Sequence, residues 1–229
     1  MDSSRTSLSA AVRTELLPLE GVTKFSPNRR FATVFSETSP ADTVFFLESG
    51  LVKLSKCGEE SKEIILQIVT PGELFGLQAL TEPARELSAE VLHEGVIYVI
   101  PRDLFARFCD ERPHLWRLVA EVLIERKREL EKKIELLCLK DVEYRILYYM
   151  AELASTLGGR LNGSEYSIPL SQGELASLIG ATRETTSTTL NSLARRGLIR
   201  LGRRQLVVPS LEEVRAAAKE RSERSAVKV

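Results

Sequence analysis

The sequence predicts an α+β protein in three parts: a small N-terminal β-barrel of jelly-roll type, a long helix, and a C-terminal helix–turn–helix with a wing. Three observations carry that expectation. Residues 25–100 hold short β-forming runs separated by turn signals. Residues 114–139 contain neither Gly nor Pro and repeat apolar residues at alternating spacings of three and four. Residues 173–208, GELASLIGATRETTSTTLNSLARRGLIRLGRRQLVV, place two apolar-periodic segments around a Gly-Ala-Thr turn, then a short hairpin. The expected boundaries are a flexible N-terminus over 1–19, a barrel over 20–110, the long helix over 111–140, the winged helix–turn–helix over 141–215 and a tail over 216–229.

In the barrel, TVFFLESGLVKLSK reads as strand broken at Ser49-Gly50. KEIILQIVTPGELFG reads as strand ended by Pro71-Gly72, and SAEVLHEGVIYVIP as two runs around Glu94-Gly95. Such a barrel closes around a ligand or around its own side chains. RDLFARFCDERP adds a short helix.

The long helix carries Ala120, Leu123, Lys127, Leu130, Ile134 and Leu137 at a and d positions of a heptad. The seam is narrow, and the flanking faces are crowded with Arg, Lys and Glu. The spacing therefore predicts a homodimer rather than a helix lying only on its own barrel. Lys127, the polar a residue, would set register. The helix should end near Asp141, where VEYRILYYMAELAST begins another.

Ser171 is the expected N-cap of a helix over 172–179, with Leu175, Leu178 and Ile179 inward. Gly180 allows a left-handed turn. Thr182 caps the next helix, and Gly197 ends it. On that second helix Thr186, Leu190 and Leu193 face inward, whereas Glu184, Ser187, Thr188 and Asn191 share another face. Arg183 stands at its exposed start. In a helix–turn–helix such residues enter the major groove. Arg donates two hydrogen bonds to guanine, and Glu accepts from cytosine. A carboxylate aimed at a polyanion is costly unless it meets a base donor, so Glu184 beside Arg183 points to base reading. Arg203 and Arg204, at the hairpin tip, suit phosphate contacts.

Charge supports this locally rather than globally. The 229-residue chain balances 32 basic against 32 acidic residues, yet residues 171–210 hold six Arg against two Glu. A local positive excess marks a site for anions, here double-stranded DNA. Three scattered cysteines, Cys57, Cys109 and Cys138, fit a reducing cytosol and offer no CxxC metal site. No run approaches a membrane span, so a cytoplasmic protein with no membrane partner is expected. No Ser–His–Asp group, carboxylate pair or metal-ligand grouping suggests an enzyme. The rival expectation is a ligand-binding module that docks on a protein partner through the same helix pair.

LSQGELASLIGATRETTSTTLNSLARRGLI resembles the winged helix of the CRP/FNR transcription regulators. ADTVFFLESGLVKL and PGELFG…ELSAEV resemble that family's cyclic-nucleotide-binding-type barrel, and the heptad helix lies where the family has its dimer helix. The resemblance spans about residues 20–210. It implies a homodimer on a two-fold operator that controls transcription, with RNA polymerase as a further partner. It assigns base reading to Arg183, Glu184, Ser187 and Thr188, and phosphate contacts to Ser171, Thr182, Thr185, Arg203 and Arg204. Thr188 stands where the family's cyclic-AMP receptor carries a second base-reading Arg, so the operator should differ there.

The same resemblance implies a degenerate effector pocket formed by Gly76, Leu77, Arg85, Leu87, Ser88, Leu130 and Glu131. Nucleotide-binding members carry a Glu for the ribose where Leu77 stands and an Arg for the phosphate where Leu87 stands; Ser88 survives. Leu130 and Glu131 replace two hydroxyls that meet the base. Arg85, two residues before Leu87, is the one candidate for a substitute phosphate ligand in this segment. No cyclic AMP is therefore expected. No iron–sulfur cluster is expected either, because the N-terminus lacks a cysteine cluster. Haem is not expected from His93 and His114 alone.

Overall fold

A computed structural model describes residues 3–27, 29–58, 62–157, 160–161 and 165–226. The chain divides into two compact units, Met1–Lys56 with Leu66–Leu130, and Cys57–Ile65 with Glu131–Val229.

The first unit is built on an antiparallel six-stranded sheet. Its strands are β1 (Thr23–Phe25), β2 (Thr33–Phe35), β3 (Thr43–Cys57), β4 (Glu63–Val69), β5 (Leu74–Phe75) and β6 (Ser88–Pro101). The order is β1-β6-β3-β4, with β2 on β6 and β5 on β3. Successive side chains on a strand point to opposite faces. Val44 and Phe46 of β3 accordingly enter one core, with Phe105, Phe108, Leu115 and Val119. Phe45 and Leu47 enter the other, inside the barrel, with Phe35 and Phe75. Burial on both faces explains why β3 reads as a continuous apolar run.

The two breaks expected at Ser49-Gly50 and Glu94-Gly95 are not strand ends. β3 and β6 run through them, and the pairing register shifts around Ser49 and Leu51. Before the shift the odd residues Phe45 and Leu47 line the barrel core; after it the even residues Val52 and Leu54 do. An extra residue in one strand produces that change of parity. Gly50 makes it possible: its φ is +92°, and an added Cβ would stand 2.6 Å from the His93 carbonyl oxygen.

The N-terminus also departs from expectation. Instead of a flexible segment, residues 3–16 are helical, α1 (Ser3–Ala11) continuing into a π-type turn over Val12–Leu16. Leu8, Val12 and Leu16, one turn apart, are buried against the helix-side core. Residues 1 and 2 lie outside the described residues.

α2 (Arg102–Asp110) and α3 (Pro113–Leu139) follow the sheet. α3 presents two apolar stripes. Leu115, Val119, Val122 and Leu136 are buried. The heptad stripe is not: Ala120 and Lys127 are exposed, Leu123, Leu130 and Ile134 are 46, 45 and 60% exposed, and Leu137 is half-buried. The helix thus packs on its own chain and still leaves its seam open.

The second unit contains α4 (Val142–Leu157), β7 (Arg160–Leu161), β8 (Glu165–Ile168), α5 (Gln172–Ile179), α6 (Arg183–Arg195), β9 (Arg200–Gly202), β10 (Gln205–Val208) and α7 (Leu211–Ala226). Its sheet runs β7-β8-β10-β9. The expected tail is helical as far as Ala226; α7 buries Val214 and Ala217, and Arg221 bonds Asp141 at 2.7 Å. A boundary at 215 would cut this helix. Residues 227–229 lie outside the described ones. No helix among the described residues is long and apolar enough to cross a membrane.

Candidate functional site

The helix pair is assembled by its caps. Ser171 Oγ accepts the Glu174 N–H at 3.2 Å, and Glu174 Oε2 accepts the Ser171 N–H at 2.6 Å, a reciprocal capping box. α5 ends at Gly180, whose φ of +63° turns the chain. An added Cβ there would stand 2.6 Å from Leu137 Cδ2, so the turn also needs glycine for close approach. The last carbonyls of α5 receive cations. Lys133 Nζ donates to Leu178 O at 2.6 Å, and Arg145 Nη1 donates to Ile179 O at 2.6 Å. Positive charge at a helix C-terminus is favourable. Burial of Lys133 pushes its ammonium down to about 8. Neither Lys133 nor Arg145 carries a sequence signal beyond its charge.

α6 begins at Thr182, whose Oγ1 accepts the Thr185 N–H at 3.1 Å. Threonine-rich helices are weak because branched side chains crowd the preceding turn and hydroxyls compete for backbone. Here the hydroxyls are satisfied one turn back: Thr186 donates to Thr182 O and Thr189 to Thr185 O, each at 2.8 Å. That lets Thr186 sit fully buried beside Leu190 and Leu193. The opposite face is open. Arg183, Glu184, Thr185, Thr188 and Asn191 are exposed, and Ser187 is partly so. β9 and β10 form the wing, with Arg203 and Arg204 exposed at its tip and Arg204 at φ +58°. The residues expected at a DNA surface are thus exposed or partly exposed on α6, at the caps and on the wing.

Two of the six local arginines are paired with carboxylates from outside the stretch. Arg196 meets Glu143 at 2.5 Å, and Arg200 meets Glu165 at 2.6 Å. Gly173, which carries no signal in the sequence, lies beneath Arg183. A Cβ added there would stand 3.4 Å from Arg183 Nε, so the guanidinium rests against a residue without a side chain.

The expected effector pocket is not assembled as a group. Leu87 and Leu130 do line one cavity of about 150 Å³, with Leu54, Leu66, Gln67, Arg126 and Glu129. Leu77 instead turns into the helix-side core, because residues 77–80 form a 3-10 turn entered through Gly76 at φ +73°. Ser88 Oγ accepts the Glu37 N–H at 3.0 Å. Arg85 is 2% exposed. Its guanidinium donates to Gly76 O at 2.9 Å and to the carbonyl and hydroxyl of Thr43, between the rings of Phe35 and Phe45. Burial pulls its pKa down. Glu131 is exposed and is not a lining residue. The lining residues Leu54, Leu66, Gln67, Arg126 and Glu129 lie outside the sequence expectation; they come from β3, β4 and α3, and no local motif joins them. Cys109 is buried, with its thiol pushed up to about 12, whereas Cys57 and Cys138 are exposed.

Comparison with known proteins gives the same division. Residues 28–112 match the cyclic nucleotide-binding domain family, and residues 144–217 match the Crp-like helix-turn-helix domain family. A CRP-like cAMP-activated global transcriptional regulator of Mycobacterium tuberculosis is 30% identical over 189 residues, covering 82% of this chain and 84% of that protein. The cyclic AMP receptor protein of Thermus thermophilus is 29% identical over 186 residues, covering 81% of each. Among solved structures, FixK2 from Bradyrhizobium japonicum superposes with a TM-score of 0.75 at 23% identity, over 85% of this chain and 96% of that one. A CRP-family transcriptional regulator from Thermus thermophilus gives 0.74 at 25% identity, over 86% and 96%.

Proposed function

This chain belongs to the CRP/FNR family of DNA-binding transcription regulators, and from that membership we propose that it acts as a cytoplasmic homodimer on a two-fold operator without cyclic AMP. The open seam of α3 supports the dimer: three large apolar side chains, Leu123, Leu130 and Ile134, stand about half exposed in a heptad stripe. A two-fold dimer reads two half-sites, so the operator is symmetric.

In this reading Arg183, Glu184, Ser187 and Thr188 meet base edges, and Ser171, Thr182, Thr185, Arg203 and Arg204 meet phosphates. The observation that carries it is the open polar face of α6, on which Arg183 and Glu184 are exposed, as are the wing arginines. RNA polymerase is the further partner. The protein uses no iron–sulfur cluster and no haem.

Two relatives are named for cyclic AMP. The residues of this chain argue against that effector. A nucleotide phosphate carries its charge into a partly dry pocket, where an unpaired charge costs several kcal/mol. Leu87 stands at the position of the phosphate Arg, Leu77 at that of the ribose Glu, and Arg85 is bonded to backbone. Loss of a charge-assisted contact and a hydroxyl contact weakens binding by roughly 3–6 kcal/mol, about two to four decades.

Selection of bound sequences from a random duplex pool tests the function. A symmetric consensus is the expected result. Binding that follows salt alone and has no sequence preference would refute base reading.

A further inference from the structure

We propose that Lys133 is a positioning residue for DNA binding: its ammonium fastens the helix pair to α3 and so sets where α6 stands relative to the dimer seam. The inference rests on the reading of the protein as a dimer on a two-fold operator, and it names a residue that holds this geometry from behind the DNA face.

One side chain joins four elements. Lys133 lies in α3 and is 5% exposed. Its Nζ donates to Leu178 O of α5 and to Ile65 O of β4, each at 2.6 Å. The same Nζ stands 5.6 Å from the centroid of the Tyr149 ring on α4. Ile65, Lys133, Tyr149 and Leu178 all belong to the second compact unit.

The carbonyl held on α5 is one that the helix cannot satisfy itself. The last carbonyls of a helix lack partners within it, and Leu178 is the next-to-last residue of α5. Gly180 then turns the chain toward Thr182 and α6. A grip on Leu178 O is therefore a grip on the entry to α6. Arg145 holds the neighbouring Ile179 O, but from α4. Lys133 reaches the same end of α5 from α3, the helix that carries the seam residues Ile134 and Leu137.

Stability does not explain a cation at this place. A buried charge costs free energy, and an apolar side chain of similar volume often replaces it without loss. Burial already pulls the Lys133 ammonium down to about 8. An apolar chain cannot supply direction, whereas two short hydrogen bonds fix the separations among α3, α5 and β4. A reading helix held at a fixed distance from the seam meets its half-site while the twin helix meets the other. Simultaneous engagement of both sites depends on that geometry. A loosened helix pair keeps its own base contacts and loses the advantage of the second site.

The test compares affinities of the full-length protein for two duplexes, one carrying the selected operator and one carrying a single half-site. Lys133→Met should bind the single half-site as the wild type does. It should bind the whole operator about tenfold more weakly, the scale of one hydrogen bond's net contribution. Lys133→Gln serves the same purpose should the Met variant fail to fold. Unchanged operator affinity overturns the inference. So does equal weakening on both duplexes, which marks a purely structural role. A wild type that binds the two duplexes equally overturns the two-fold reading and the inference with it. Failure of the variants alone leaves that reading intact.

Discussion

Arg183 stands in solvent at the start of α6, whereas Arg85 lies 2% exposed with its guanidinium on the oxygens of Gly76 and Thr43. The wing arginines resemble the first and Arg126 the second: Arg203 and Arg204 are exposed, and Arg126 donates to the Leu74 carbonyl. A count of arginines conceals this distinction. A guanidinium bonded to backbone carbonyls holds loops together and has few donors left for an incoming phosphate. One in solvent costs nothing to desolvate until it meets its partner, and can then donate two hydrogen bonds to a guanine or bind a phosphate.

The largest effect is expected on α3, along the proposed dimer seam. Leu130→Glu places like charges across the seam in an apolar layer, so the protein should sediment as a monomer and lose operator binding altogether. A Leu130→Glu protein that stays dimeric would move the interface off this seam.

Next in size is the inward arginine. Arg85→Ala leaves the oxygens of Gly76 and Thr43 without their donor, so urea unfolding should show a loss of about 3 kcal/mol. Operator preference should not change. A variant of unaltered stability would mean that Arg85 is not a structural clamp.

The outward arginines should behave oppositely. Arg183→Ala should weaken specific binding by about 1–3 kcal/mol and relax one G·C position in each half-site, with no comparable loss of folding stability. Arg204→Ala should weaken all duplexes alike and lower the salt slope by about 1. Equal scaling of every sequence by both variants would contradict the division of roles on α6 and the wing.

A last effect, confined to alkaline pH, lies at Lys133. Its ammonium is pushed down to about 8 in the folded protein, against an ordinary value of 10.5. The unfolded chain then holds more protons between those values, so stability from this group rises with pH across that window. Below pH 8 the cost of burying the cation is fully present. Relative to Lys133→Met, the wild type should gain at most about 3.4 kcal/mol between pH 8 and 10.5. Parallel stability curves for the two proteins would contradict this.

Legibility in the sequence depends on how local each signal is. The caps Ser171 and Thr182 and the turn glycine Gly180 are readable because a cap acts within four residues. The two sides of α6 follow from helical spacing alone. The N-terminal helix is hidden: Leu8, Val12 and Leu16 are single apolar residues among Ser, Thr and Ala, and only burial against the core of the first unit makes them a stripe. Ser49-Gly50 resembles a turn because a glycine at positive φ serves a bulge as well as a turn, and only the register of β6 separates the two. The sequence suggests Leu77 and Leu87 as partners in one pocket, yet the 3-10 turn after Gly76 sends Leu77 to the other core. The cavity wall is illegible for a similar reason, since Leu54, Leu66, Leu87 and Leu130 meet only after the sheet has folded.

The proposal that an outer face reads DNA while the inner region does not answer to cyclic AMP is tested in one experiment. The purified protein is titrated onto its selected operator, with and without saturating cyclic AMP. The expected result is the same affinity in both titrations and strong preference over random duplex in each. Affinity that appears only with cyclic AMP, or rises tenfold on its addition, would contradict it.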